Sequence, residues 1–320
     1  MGSHKKVVIA LGGNALMEPD MAATAQAQME VIRKTCEIIA DIKCIFNYEI
    51  GITHGNGPQV GRILLASETA KDVTPVLPME VCSAMSQGYI GYQLQQVLRD
   101  TLARRGRNLP VVTLITQVLV DKDDPAFQDP SKPIGPWYSY PEALHLMAEK
   151  GYAMKEDAGR GWRRVVPSPK PIRIIESHSI VELWDSTIVI AGGGGGVPVV
   201  QLPDGTHEGV AAVIDKDLAA EKLAEDVEAD FFIMLTEVEH AYIHFNKEKQ
   251  QALEKVSVQE CEQYMAEGHF AAGSMLPKMQ AAVQFAKNKP GKTAIITSLF
   301  KAVEAIRGET GTQITYNGGQ

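Results

Sequence analysis

Val7-Val8-Ile9-Ala10-Leu11-Gly12-Gly13-Asn14 joins an unbroken apolar run to a glycine turn. A short run without polar alternation fits a strand buried on both faces, as strands inside parallel sheets are. The pattern occurs twice more. Glu49-Ile50-Gly51-Ile52-Thr53 leads into His54-Gly55-Asn56-Gly57-Pro58, and Thr187-Ile188-Val189-Ile190-Ala191 leads into Gly192 through Gly196. Glycine reaches backbone dihedrals closed to other residues and lets successive N–H groups converge on one anion. Three such turns at the carboxyl ends of parallel strands would face a single crevice. The pattern implies an α/β fold that handles phosphate.

Outward from these turns, strand and helix alternate. Residues 21–46 place Ile32, Cys36, Ile39 and Phe46 at helical spacing, a helix follows Pro58, and another covers about Met79 to Ala103. Within the last, Gly88 and Gly91 allow a neighbouring element to come close. Val111 to Val120 is expected to be one buried strand. From Asp121 to Pro171 the alternation stops in favour of Pro, Gly and charge, the signature of a lid or an inserted subdomain. A helix near Glu176 to Leu183 resumes the rhythm. Beyond about Val210 the expected strands are Phe231–Leu235 and Thr293–Thr297. The expected helices there are Leu218–Ala224, Glu248–Met265 and Pro277–Ala286.

A chain of 320 residues, 45% hydrophobic and 22% charged, can bury a large core in one large domain or two lobes. The net charge of -8 argues against a nucleic-acid surface. Arg160, Arg163 and Arg164 with Trp162 are too short a cluster to reverse that. They are expected to tie the subdomain to the core or to line the substrate entrance. The uncharged run Ser186–Val200 is broken by glycines and a proline, so no membrane span is expected. No secretory signal precedes the first strand. Cys36, Cys44, Cys82 and Cys261 form no C-x-x-C pair, which fits a reducing, cytoplasmic setting. His240 and His244, near Glu237 and Glu239, lack a clear third ligand, so no metal is assigned to protein side chains.

Two familiar phosphate signatures are absent. Gly291-Lys292-Thr293 ends like a Walker motif, but Ala286 stands where its first glycine belongs, and the dinucleotide spacing after Gly55 misses by one residue. The alternative lies in Asp215-Lys216-Asp217, at the start of an expected helix. There the lysine can meet a phosphate oxygen while an aspartate fixes it. Taken alone, the triplet is better read as an N-cap beside a solvated lysine. Gly273-Ser274-Met275-Leu276-Pro277-Lys278 sets a second lysine in a first helical turn, where a cation is unfavourable without an anionic partner. Two lysines so placed, with three glycine turns, favour function. His54 is expected to bond the backbone of its own turn.

Together these segments resemble carbamate kinases of the amino-acid-kinase superfamily. The likeness is carried by Ala10 to Leu16, Thr53 to Gly61, Met85 to Tyr92, Pro130 to Gly135, Glu156 to Pro169, Ala212 to Ala219 and Gly268 to Lys278. It covers nearly the whole chain, in order. The resemblance implies a three-layer αβα sandwich with a mainly parallel central sheet, two lobes and a small protruding subdomain near 121–170. The N-terminal lobe, 5–205, would hold carbamate or carbamoyl phosphate, and the C-terminal lobe, 206–317, ATP or ADP with Mg2+.

By the same resemblance Lys132, Lys216, Asp217 and Lys278 are catalytic. Gly12, Gly13, Asn14, Gly55, Asn56, Gly57, Gly194 and Gly195 would bind the substrate. Lys216, Thr236, Val238, Tyr242, Gly273, Ser274, Met275 and Lys278 would bind the nucleotide. Related acyl kinases carry a lysine where this chain has Ala10, and Lys132, in a Pro-rich loop of the subdomain, matches the lysine that substitutes in carbamate kinases. A homodimer, phosphoryl transfer between ATP and carbamate, and a catabolic direction toward ATP are also implied. The alternatives are an inactive or regulatory nucleotide-binding paralogue, or a kinase for another small carboxylate.

Overall fold

The computed structural model describes residues 4–16, 24–157 and 159–317. The chain starts with β1 (Lys6–Leu11), α1 (Ala25–Phe46), β2 (Glu49–His54), α2 (Gly57–Thr69) and α3 (Met79–Arg104). Next come β3 (Val111–Thr113) and β4 (Gln117–Val120), then β5 (Lys132–Tyr138), α4 (Tyr140–Lys150), β6 (Met154–Glu156) and β7 (Trp162–Val166). They are followed by β8 (Pro171–Ile174), α5 (Ser177–Trp184), β9 (Ile188–Ile190), β10 (Val197–Gln201) and β11 (His207–Gly209). The remainder comprises α6 (Lys216–Asp226), β12 (Phe231–Thr236), β13 (Ala241–Ile243), β14 (Gln251–Leu253) and β15 (Lys255–Ser257). It ends with α7 (Val258–Ala266), α8 (Met275–Asn288), β16 (Thr293–Ser298), α9 (Ala302–Ile306) and β17 (Thr312–Thr315).

One eight-stranded sheet runs through the molecule in the order β15-β17-β16-β12-β1-β2-β9-β3. Among the described residues only β16 and β17 pair antiparallel within it. Central β1 has no polar face. Val7, Ile9 and Leu11 pack with Ile32, Cys36 and Ile39 of α1 and with Ile90, Leu94 and Leu98 of α3. Val8 and Ala10 pack toward α5, α6 and α8 through Trp184, Ala220 and Met279. Helices on both faces give the αβα sandwich. Leu11 stands opposite His54 on one side and Leu235 on the other, so three strand ends open at one edge.

The inserted region carries its own three-stranded sheet, β5-β7-β6, with α4 beside it. It leans on α2 through a close backbone approach: a Cβ on Gly61 would come within 2.1 Å of the Gly135 Cα. Glu68 of α2 reinforces the junction by accepting from Arg164 at 2.8 Å and from the Tyr152 hydroxyl.

Two expectations are corrected. Val111–Val120 is two strands, not one: β3 pairs with β9 in the large sheet, whereas β4 pairs with β10 and β8 in a separate four-stranded sheet. Gln87 of α3 holds the break open, donating to the Thr116 carbonyl at 3.1 Å and accepting from the Thr116 N–H at 2.8 Å. Glu248–Met265 is not one helix. Residues 251–253 pair with β13 and 255–257 with β17, and Ser257 then starts α7 through a capping box with Glu260.

Candidate active site

The three strand ends open onto two cavities that share a wall. The smaller, about 170 Å³, is lined by Gly55, Asn56, Gly57, Gly194 and Ile214, among others. The larger, about 930 Å³, lies over β12 and the start of α8. Gly13, Lys132 and Lys216 border both.

The start of α6 organises the junction. Asp215 caps the helix, accepting from the Asp217 N–H at 2.9 Å with one carboxylate oxygen. Its other oxygen accepts from Lys132 Nζ at 2.5 Å. Asp217 holds the remaining two cations, Lys216 Nζ at 2.5 Å and Lys278 Nζ at 2.7 Å, one on each oxygen. Three ammonium groups against two carboxylates leave the junction with a net positive charge, at a helix N-terminus that itself favours anions.

Burial works to raise the Asp217 carboxyl, but the two adjacent lysines outweigh it and hold the group well below the usual carboxylate range. Burial lowers Lys216 to about 8, helped by repulsion from Lys278 and opposed by Asp217. Lys278, equally removed from water, is pulled the other way by Asp217 and stays above the ordinary lysine value. An anion arriving here would favour the charged form of Lys216.

The glycine turns shape the small cavity. Buried His54 donates from Nδ1 to the Gly55 carbonyl at 2.9 Å, because a carbonyl can only accept. Burial pushes its imidazole down to about 4, so it is neutral near pH 7. The Gly192–Gly196 turn folds over it: Thr53 donates to the Gly192 carbonyl at 3.0 Å, and Thr116 Oγ accepts from the Gly192 N–H at 2.9 Å. Gly194, at φ +66°, lies against the Asn56 amide, where a Cβ would overlap Nδ2 at 2.1 Å.

All eight residues expected to meet a nucleotide line the large cavity: Lys216, Thr236, Val238, Tyr242, Gly273, Ser274, Met275 and Lys278. Of those expected to meet the substrate, Gly13, Gly55, Asn56, Gly57 and Gly194 line the small cavity. Gly12 faces the large one instead, and Gly195 backs onto the Ile214 carbonyl. Asn14 belongs to a 3-10 turn at Gly13–Ala15, and its side chain lies outside the described residues. Lys132 opens β5 rather than sitting in a loop, and the sheet aims it at Asp215.

Asp215 is the residue sequence reasoning passed over. Its capping position is written in Asp215-Lys216-Asp217, but the partner of its second oxygen, Lys132, lies 83 residues away in the chain. Arg160 lines the large cavity, and Arg163 donates to the Gly135 carbonyl, so the cluster both faces the entrance and secures the subdomain. Among the described residues no three His, Cys, Asp or Glu side chains come together as a metal site.

A model of the amino acid kinase family matches residues 5–298. Carbamate kinase of Pyrococcus horikoshii is 55% identical over 314 residues, 97% of this chain and 99% of that protein. The chain belongs to the carbamate kinase family. Among solved members, carbamate kinase from Giardia lamblia bound to citric acid superposes with a TM-score of 0.93. It is 42% identical, with 98% of this chain and 99% of that one covered. The same enzyme bound to AMP-PNP gives a TM-score of 0.90 over equal coverage. The carbamate kinase fold is thus shared along nearly the full length, inserted sheet included. Membership makes the chain a phosphotransferase.

Proposed function

We propose that this carbamate kinase family member moves a phosphoryl group reversibly between ATP and carbamate, giving ADP and carbamoyl phosphate. The observation that carries this reading is the pair of unequal cavities meeting at Lys132 and Lys216. A space of about 170 Å³ suits a four-heavy-atom acid and its phosphoryl group, and about 930 Å³ suits a nucleotide. Residues within 5–205, the glycine turns among them, form most of the small cavity's lining, and 206–317 most of the large one's. A carboxyl acceptor would enter between the amides of Gly55 and Gly57, with its attacking oxygen toward the junction.

Phosphoryl transfer asks little covalent work of a protein, so alignment and charge stabilisation carry the rate. Lys216 and Lys278 would neutralise the transferring group, while Asp217 fixes both ammonium groups and so removes their freedom to pair elsewhere. Lys132 comes from the subdomain and would exchange Asp215 for the phosphoryl oxygens when substrate binds. Magnesium would enter on the nucleotide phosphates and offset their charge, as the acidic side chains at this junction are already engaged by lysines. Carbamoyl phosphate, an acyl phosphate, is the stronger phosphoryl donor, which favours ATP formation as the working direction.

A coupled assay for ATP from ADP and carbamoyl phosphate tests the reading. Turnover is expected with wild type and a large loss with Lys132→Ala at unchanged ADP affinity. No ATP from the wild-type protein would overturn it.

We further propose a homodimer formed through α3. Val81, Met85 and Tyr92 repeat along one exposed side of that helix, and Ile115 packs on Gly88 between them. Tyr92 is 60% exposed in the single chain, an unfavourable position for a large aromatic ring. Met85→Glu is expected to shift the protein to monomer in sedimentation. No helix among the described residues is long and apolar enough to cross a membrane. The four unpaired cysteines fit the cytoplasm, where we place the enzyme.

A further inference from the structure

Carbamate, acetate and bicarbonate have nearly the same shape, so a cavity cannot sort them by volume. What sets carbamate apart is an amino group that donates hydrogen bonds, and recognising it takes a fixed acceptor. The charged side chains on the small cavity's wall, Lys132 and Lys216, can only donate.

Asn56 is different. Its side chain is buried and forms part of the cavity wall. Its Nδ2 donates to Ser86 Oγ at 2.8 Å, and Ser86 donates to the Ser83 carbonyl at 2.6 Å. That second bond decides the first. The Ser83 carbonyl can only accept, so the single hydroxyl proton of Ser86 is committed to it. Ser86 Oγ must then accept, and only the NH2 end of the Asn56 amide can serve it. The amide is therefore held in one orientation, with Oδ1 turned from Ser86. Oδ1 accepts no hydrogen bond from any described residue, and it is not among the sealed, unpartnered oxygens.

We infer that Ser86 is a positioning residue for substrate selection, holding the Asn56 amide so that Oδ1 accepts from the amino group of carbamate or carbamoyl phosphate. Gly194 lies against the same amide, leaving only a hydrogen where a Cβ would overlap it. A substrate lacking the N–H would leave Oδ1 desolvated and unpaired, and sites built around such a bond discriminate strongly. Gln59 is the other side-chain amide on this wall, but its bond to Gln28 is long, 3.4 Å, and fixes it less well.

The inference rests on the carbamate reading above, and the test separates the two. ATP formation from ADP is measured with carbamoyl phosphate and with acetyl phosphate, for wild type, Ser86→Ala and Asn56→Ala, with ADP affinity by calorimetry as the control for folding. Ser86→Ala is expected to lower kcat/KM for carbamoyl phosphate about tenfold while changing that for acetyl phosphate much less. Asn56→Ala should lose the same selectivity, and the double variant should lose no more than Asn56→Ala alone. Equal losses on both donors, or an unchanged ratio in both variants, would overturn the positioning role. An unchanged ratio in Asn56→Ala that falls in Gln59→Ala would assign the acceptor to Gln59 and also overturn it. Failure of wild type to use carbamoyl phosphate would instead strike the function itself.

Discussion

The two cavities meet at the same lysines but are built by different means. The small one is a backbone construction, framed by the turns at 55–57 and 192–196, and in the second turn a Cβ on any of Gly193 to Gly196 would come within 2.5 Å of a neighbour. The large one is a side-chain construction, with Tyr242, Phe245, Met275 and Phe300 contributing surface from separate elements. A backbone pocket concentrates its discrimination in a few positions, each intolerant of change. A side-chain pocket spreads its affinity over many contacts, each modest. Lys132 and Lys216 line both, where they would serve the step the two have in common.

The largest effect should come where the cavities meet. Lys216→Ala, at a lysine that lines both, is expected to cut kcat by roughly 10²–10³-fold, as loss of one preorganised donor to developing charge does. Nucleotide and acyl phosphate kinetics should suffer together. If only one substrate's KM moves and kcat holds, the lysine belongs to a single cavity and the comparison breaks.

Gly194→Ala probes the backbone pocket. The new methyl would overlap the Asn56 amide at a residue with φ +66°. Overpacking of this kind costs about 1–3 kcal/mol of stability, and displacing the Asn56 amide should lower kcat/KM for carbamoyl phosphate by about tenfold. Calorimetry should find ADP binding unaltered, and a parallel loss of ADP binding would mean that the walls are not independent. Tyr242→Ala is the converse test. About a tenfold rise in nucleotide KM at constant kcat is expected, the mark of binding lost equally in ground and transition states.

The smallest effect is in pH. Lys216 has its pKa lowered to about 8, so raising the pH removes its proton and its charge. In the free enzyme kcat/KM should therefore fall above that value, by about twofold at the midpoint. Lys216→Arg should move this alkaline limb to higher pH, and a limb that stays in place would assign it to another group.

How far these features were legible follows from how local their causes are. The three apolar runs with their glycine turns could be placed because strand burial and turn chemistry are both written within ten residues. Lys216 and Lys278 stood out as cations at helix starts, positions unfavourable to them without an anionic partner. The break between β3 and β4 was hidden because its cause is Gln87, distant in the chain, clamping the backbone at Thr116. The helix expected from Glu248 failed because 251–253 and 255–257 find partners in β13 and β17, and edge pairing outweighs a helical pattern. Ser257 and Glu260 did mark the true start, at the spacing of a capping box. Ser86 was legible only as part of a family segment, since its meaning depends on which group its proton goes to.

The sheet has one further consequence, through the pairing of β1 with β12 between the parts of the chain before and after residue 205. Leu11 and Leu235 stand side by side there, and the Gly12 N–H donates to the Leu235 carbonyl at 3.0 Å. Severed after residue 205, each fragment would present a bare parallel edge that is apolar on both faces, the kind of surface that recruits other strands. The enzyme therefore cannot be assembled from two independently soluble pieces. The alignment proposed for catalysis is inherited from strand register, fixed once when the chain folds, and the separately sheeted insertion is held to it through α2.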